Sequence, residues 1–451
     1  MNLNKALFNY IQDTENAEYN FNLGLEYENL GQTASAISYY LRSADRSINT
    51  KLAYESLVRM SFCFNMQGNR LYTVKSLLHH AITVLPKRPE AYYLLSRYEE
   101  WNKNYYEAYT LSNTALTFCD FDLDPLKTNV EYPGKYGLIF EKAVSSYWWG
   151  KSKECRELFQ SLSNDYYHFM DDSHKKAVKN NFVILEMDFP FILEEDITKV
   201  KDFPSVYYLS LEESLDRREY LDSQFNSFNI GKINSVISKR FKDCNDIIHG
   251  KYVDTLTDAS KGCCTSHMRC IKNWLNNTNE PYGFFCEDDL SLETIKYWNF
   301  TWQEFIEQLP SDWECVQLMW VKDEMPEIKL RERYFDDWSA TAYILKRERA
   351  QKLVDTYYPN DEFYFDIPNS NLQPIVENLV FSLGKVYTFP LFVEETKKFS
   401  TCIINSEEFN GLKDDWEIID GQGPAHIRSN EQIISWWKKV AYNLKIDQIP
   451  K

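Results

Sequence analysis

The chain contains no long apolar run. No uninterrupted stretch reaches membrane-spanning length, and Met1 to Gln12 lacks the apolar segment of a secretory signal, so the sequence predicts a soluble protein without a transmembrane segment. Regular cysteine spacing is also missing. The ten cysteines are scattered over 451 residues, which argues against a disulfide scaffold and predicts reduced thiols in a cytoplasmic compartment. Basic clusters are absent as well: 50 Lys and Arg stand against 67 Asp and Glu, a formal charge of −17 at pH 7. Binding a nucleic-acid backbone requires clustered cations, so nucleic acid is excluded as a partner. There is no Gly-x-Ser-x-Gly elbow, which argues against a serine nucleophile at Ser266. No second Cys/His pair at finger spacing accompanies Cys263, Cys264, His267 and Cys270, which argues against structural zinc.

What is present is globular. Hydrophobic residues make up 44% and charged residues 26%, and the length predicts two or three domains. Aromatic residues at 16% suit helix packing or the stacking of sugar rings, and composition does not choose between these. In the first part of the chain small residues recur where helices must approach one another. Leu23, Gly24 and Tyr27 precede a turn at Gly31, then Ala36, Tyr40 and Ala44 follow. The pattern returns with Met60, Ser61, Phe64, Gly68, Leu77, Ala81 and Pro86, then with Tyr92, Leu95, Ser96, Ala108 and Ala115. A degenerate fourth unit uses Ala143, Gly150, Cys155 and Phe159. These units resemble tetratricopeptide repeats, in which one helical hairpin buries its apolar face only against a neighbour. An irregular helical bundle is the alternative.

Between Asp188 and Pro204 the helical period is interrupted by Pro190, Glu194-Glu195-Asp196 and Pro204, which divides the chain into a helical repeat domain over 1–190 and a second domain over 191–451. In the second, strands are expected near 205–210, 282–286, 314–320, 340–345 and 385–393. They alternate with helices such as 265–276 and 347–358, the pattern of a mixed α/β sheet covered by helices. A last helix is expected over 430–443, opened by a capping box of Ser429 and Gln432, with Trp436 and Trp437 packing inward.

The chemistry concentrates where the apolar run Tyr282 to Cys286 ends in Glu287-Asp288-Asp289. Acids at the C-terminal end of a buried strand open into the crevice where α/β sheets hold ligands. Carboxylate oxygens suit Mg²⁺ or Mn²⁺, and a site with few protein ligands leaves positions for a diphosphate. An acidic turn is the alternative. Arg217 and Arg218 offer charge compensation for a diphosphate or, alternatively, a solvated helix face. His267 is expected just inside a helix starting after Gly262, where backbone N–H groups and the imidazole would face a donor; a capping or packing role is the alternative.

Taken together, Val206 to Leu211 leading into Asp216-Arg217-Arg218, then Gly262-Cys263-Cys264-Thr265-Ser266-His267, then Glu287-Asp288-Asp289 resemble glycosyltransferase family 25 over roughly residues 204 to 400. That resemblance implies a GT-A-like mixed α/β domain after the tetratricopeptide-like solenoid. It implies that Asp289 ligates Mn²⁺ or Mg²⁺, that Glu287 faces the ribose or the metal's water shell, and that Asp288, His267, Arg217 and Arg218 serve the donor. By looser analogy, His426, in a late loop, would be a further metal ligand. Glu377 is the candidate general base or acceptor anchor, with a helix-surface glutamate as alternative. The activity implied is metal-dependent, inverting transfer of a hexose from a nucleotide-sugar donor, UDP-hexose in type, to a hydroxyl of a glycan or protein acceptor. In this reading the repeats bind the acceptor or a protein partner. The alternatives are a repeat-based interaction module with a degenerate transferase domain and a metal-dependent phosphohydrolase.

Overall fold

The computed structural model describes residues 2–322, 327–395 and 425–439, in two compact units, Met1–Phe189 and Pro190–Lys451.

The first unit is a succession of antiparallel helical hairpins. After α1 (Leu3–Gln12) come α2 (Ala17–Asn29) with α3 (Thr33–Arg46), α4 (Thr50–Gln67) with α5 (Leu71–Val84), α6 (Glu90–Trp101) with α7 (Tyr105–Phe118), and α8 (Lys135–Trp148) with α9 (Ser152–Ser161); α10 (Asp172–Ile184) follows. The hairpins are those of a tetratricopeptide-like solenoid. A Cβ at Gly24 would meet the ring of Tyr40 at 2.9 Å, so only glycine lets α2 and α3 pack this closely. Ser96 does the same for α6 and α7, its hydroxyl donating to Ala108 O at 2.8 Å. In the third hairpin the left-handed turn is made by Lys103 (φ 64°) instead of a glycine.

The long connection between α7 and α8 does not hang free. It runs back over α2 and α4, where Glu55 accepts from the backbone N–H of Lys127 at 2.9 Å and of Thr128 at 2.6 Å. Lys127 pairs with Glu18 and donates to Asn22, and Arg59 donates to Asn129 O at 3.2 Å. Val130 is buried in the core with Tyr54, Leu57 and Val58.

The second unit is built on a seven-stranded mixed sheet among the described residues, in the order β2-β1-β4-β8-β6-β10-β7. In chain order the strands are β1 (Val206–Leu211), β2 (Ile233–Ser238), β3 (Ile248–His249), β4 (Tyr282–Glu287), β5 (Leu290–Ser291), β6 (Cys315–Gln317), β7 (Arg331–Glu332), β8 (Ala342–Lys346), β9 (Phe363–Tyr364), β10 (Val386–Thr388) and β11 (Val393–Glu394). Strand β1 pairs in parallel with β2 and β4, and β8 runs antiparallel to β4 and β6. The helices are α11 (Glu194–Lys199), α12 (Leu215–Ser227), α13 (Asp258–Asn277), α14 (Trp302–Gln308), α15 (Arg347–Tyr357), α16 (Val376–Val380) and α17 (Ala425–Lys439).

Strand β4 is covered on both faces, which is why it reads as an unbroken apolar run. Phe285 packs on one face against Trp274 of α13 and Tyr343 of β8. Its neighbour Phe284 points the other way, toward Phe203, Trp302 and Phe392. Strand β2 is exposed or half-exposed from Ile233 through Ile237 and has no counterpart among the expected strands.

Two helix starts differ from expectation. Helix α13 begins at Asp258, capped by Thr257, whose hydroxyl accepts from Ser260 N–H at 3.1 Å. Gly262 is therefore interior, and the helix was already made before it. Helix α17 begins by Ala425, so Ser429 is not its cap. Ser429 is buried instead, its hydroxyl accepting from Lys322 N–H and donating to Lys322 O, both at 3.0 Å. Trp437 is fully buried and donates from its indole N–H to Pro390 O at 2.9 Å, while Trp436 packs edge-on against it. Residues 440–443 lie outside the described residues.

Two expected outcomes follow from packing. A Cβ at Gly283 would lie 2.6 Å from the indole of Trp274, so Gly283→Ala should push α13 off β4 and cost about 1–3 kcal/mol. In thermal melts Gly231→Ala, whose Cβ would meet nothing within 4 Å, is the neutral control; equal melting of the two variants would refute the close contact. In the first unit, burial and the nearby Glu100 push Glu141 up to about 8, against the pull of Arg97. The folded state then holds a proton that the unfolded chain releases near pH 4.5, so stability falls as pH rises through that window, by roughly 1.4 kcal/mol per unit. Glu141→Gln should match wild type near pH 5 and melt higher near pH 9; parallel pH profiles would exclude this role.

Candidate active site

The acid triplet sits where β4 ends. Glu287 is the last strand residue, its N–H donating to Thr341 O at 2.9 Å. Asp288 and Asp289 form the turn into β5, which pairs with β11 and sets Glu394 opposite Leu290. The next N–H, of Glu395, donates to Asp289 O at 2.7 Å. The sheet thus adds Glu394 to the triplet. Its signal in the sequence is the run Phe389 to Val393 ending in Glu394 and Glu395, as the β4 run ends in acids, but the sequence reading does not name it.

Helix α12 supplies the countercharge. Arg217, Leu221 and Phe225 are spaced at i, i+4 and i+8 and all buried, so one helix face carries the guanidinium inward. Its Nη1 lies 3.0 Å from Asp288 Oδ1 and its Nη2 2.9 Å from Asp289 Oδ2. Arg218, one residue on, is on another face. It donates to the carbonyl oxygens of Leu211 and Glu212 and to Ser210 Oγ, closing the end of β1, and is not aimed at the acids.

Negative charge exceeds what Arg217 offsets. Burial, then Glu394, Glu377 and Asp288, push Glu287 up to about 8, with Arg217 opposing. Burial, Glu287 and Glu394 hold Asp289 well above the usual carboxylate range. Burial also raises Asp288, against Arg217. Asp289 Oδ1 is buried without a hydrogen-bond partner among the described residues. Glu394 Oε1 accepts from Ser339 Oγ at 3.1 Å and Thr341 Oγ1 at 2.8 Å, and Glu377, half-buried at the start of α16, accepts from Ser339 N–H at 3.2 Å.

His267 meets the same cluster from α13. It is fully buried, with Nδ1 2.8 Å from Tyr343 Oη and Nε2 3.2 Å from Glu287 Oε1. Burial pushes it down to about 3, against the pull of Glu377, so the imidazole is neutral. Because α13 starts at Asp258, the N–H groups around His267 belong to the helix interior. The expected helix N-terminus facing a donor at Gly262 to His267 is therefore corrected: only the side chain is presented. His426 falls in the first turn of α17 and not in a loop. The segment before it, through Pro424, lies outside the described residues.

These carboxylates, with an open buried oxygen and a surplus of negative charge, fit a hard divalent cation by their donor chemistry. No curated protein matches the chain. Among solved structures, that of MamA is 16% identical and covers 39% of this chain and 88% of its own, with a TM-score of 0.29. PilW, a type IV pilus biogenesis factor, is 15% identical, with 38% and 70% covered and a TM-score of 0.30. A tetratricopeptide repeat protein from Parabacteroides merdae is 13% identical, with 41% and 64% covered and a TM-score of 0.30. Residues 203–367, which carry β1, α12, α13 and the β4 acids, match the model of glycosyltransferase family 25 (LPS biosynthesis protein), and it is to that family that this part of the chain is similar.

Proposed function

We propose that the second unit is a metal-dependent glycosyltransferase with a GT-A-like fold, moving a hexose from a nucleotide-sugar donor of UDP type to a hydroxyl of a glycan or protein acceptor with inversion. The observation that supports it most is the acid cluster itself: Asp289, with an unsatisfied buried oxygen, among Glu287, Asp288 and Glu394, inside the segment matching a sugar-transferase family.

Mn²⁺ or Mg²⁺ would be held by Asp289, with Glu287 and Glu394 adding oxygen donors. When bound, such an ion supplies stabilisation of the charge that accumulates on a leaving diphosphate. The protein's own residues do the rest. Arg217 fixes both aspartates by a two-pronged contact, which a lysine could not reproduce. Thr341 and Ser339 orient Glu394. Glu377, steadied by Ser339 N–H, is the candidate base for the acceptor hydroxyl, within the electrostatic reach of Glu287 and His267. Neutral, buried His267 positions Glu287. The repeats are assigned to acceptor or partner binding, and no described helix is long and apolar enough to cross a membrane.

The test is release of UDP from UDP-hexoses by the full chain, with and without Mn²⁺. Asp289→Asn should abolish donor-dependent release with unchanged circular dichroism. Arg217→Lys should weaken Mn²⁺ by about 10–100-fold, the usual effect of losing a group that orients metal ligands. Phosphate release from simple phosphoesters without any nucleotide release would instead establish a phosphohydrolase, and an Asp289→Asn enzyme that keeps wild-type Mn²⁺ dependence would remove the acid from the site.

A further inference from the structure

Next to the oxygen-only cluster lies a set of donors of different character. Cys263 Sγ, a ring nitrogen of His267 and a carboxylate oxygen of Glu287 all lie within 4.8 Å of one another. Cys263 and His267 are four residues apart on α13 and so share a helix face, and Glu287 meets them from the end of β4. Cys263 is half-exposed and carries no disulfide, while the cysteines around it, Cys264, Cys270 and Cys286, are buried. Of these neighbours it is the one grouped with His267 and Glu287 at metal-ligand spacing among the described residues.

The surroundings of His267 are those of a ligating imidazole. Metal-bound histidines direct their second nitrogen at an oxygen that fixes tautomer and ring orientation. Here Nδ1 is 2.8 Å from Tyr343 Oη, and the two rings stack at 5.7 Å. With Nδ1–H donating to Tyr343, the Nε2 lone pair faces Glu287 Oε1, 3.2 Å away. A thiol and an imidazole select a softer ion than Mn²⁺ or Mg²⁺, and three protein ligands with a position left open is the count of an exchangeable zinc site; a closed structural site has four.

We propose that Cys263, His267 and Glu287 form a second metal site, selective for Zn²⁺, that shares Glu287 with the hard-cation site. Binding forms zinc–sulfur, zinc–nitrogen and zinc–oxygen bonds and releases the thiol proton, and that of Glu287 where present, to solvent. Because one carboxylate serves both sites, Zn²⁺ opposes Mn²⁺ and inhibits transfer. The existence of the site is independent of the glycosyltransferase reading; only the inhibition rests on it.

Co²⁺, whose thiolate and tetrahedral complexes absorb, is the probe. Added to the full-length chain freed of metal, it should give a thiolate-to-cobalt charge-transfer band and intense visible absorption, both removed by one equivalent of Zn²⁺. Cys263→Ser should lose the charge-transfer band, whereas Cys244→Ser keeps it. Tyr343→Phe should keep the band and bind Zn²⁺ about 10–100-fold more weakly. Asp289→Asn should keep the band while losing donor-dependent UDP release, so a failure of the transferase reading leaves the band in place and is told apart from a failure of this one. Zinc X-ray absorption on the wild-type chain counts one sulfur neighbour without relying on any variant. A shell of oxygen and nitrogen alone, or a charge-transfer band that survives in Cys263→Ser, overturns the site; zinc inhibition unaffected by raising Mn²⁺ overturns the shared carboxylate.

Discussion

The seating of α13 on β4 determines everything around the acids. Trp274 lies flat over Gly283, the only residue type that leaves room for it, and the guanidinium of Arg347 caps the indole 4.5 Å from its ring centre. Full burial of such a ring removes roughly 200 Å² from water, worth at most about 5 kcal/mol. The contact also sets register. From Trp274 back to His267 is two helical turns, about 10 Å; from Gly283 on to Glu287 is four strand residues, about 13 Å. Those near-equal runs, starting from one clamped point on antiparallel courses, bring imidazole and carboxylate together at 3.2 Å.

A second constraint is electrostatic. Carboxylates gathered in a half-buried place repel one another and lose hydration, so they take up protons or hold a cation. Arg217 satisfies two of them through a fork, and its removal would leave buried charge uncompensated. Glu287 answers the remaining repulsion by rising to about 8, and neutral His267 beside it needs no countercharge. A cation that takes the place of those protons recovers interaction energy the protein has already arranged for. Preorganisation of this kind costs stability at the site, and the aromatic packing of Phe284, Phe285, Trp302 and Tyr343 on the two sheet faces offsets it.

Much of this was legible because the causes are local. Small residues at Gly24, Ala36, Ser96 and Ala108 mark close helix approaches whatever the rest of the chain does. An apolar run ending in acids marks a strand leaving the core. What stayed hidden depends on contacts distant in sequence. Glu394 shows the same run-then-acid pattern as Glu287, yet only the pairing of β11 with β5 places it at the cluster. Gly262 looks like a helix boundary and draws the expected start of α13 too far along the chain, while the true cap, Thr257, is an ordinary threonine until its hydroxyl accepts from Ser260 N–H. Ser429 looks like a cap and is instead a buried bridge to Lys322, a partner no local rule supplies. The motif order located β4, α12 and α13, but the distinction between Arg217 and Arg218 required knowing which face of α12 turns inward.

The repeats show the same logic in reverse, with an extended segment of the chain lying across α2 and α4. Glu55 takes two successive backbone N–H groups, Glu18 and Asn22 take a lysine, and Arg59 takes a carbonyl, so the face of α2 and α4 reads a peptide backbone with one cationic side chain. That peptide is residues 127–129 of the chain itself. A tethered ligand acts at an effective concentration of the order of millimolar, and Val130 anchors this one in the core. A peptide supplied from outside must outcompete both the tether and the buried anchor to reach Glu55. Any ligand of the repeats is therefore left the helix surfaces that the connection does not cover.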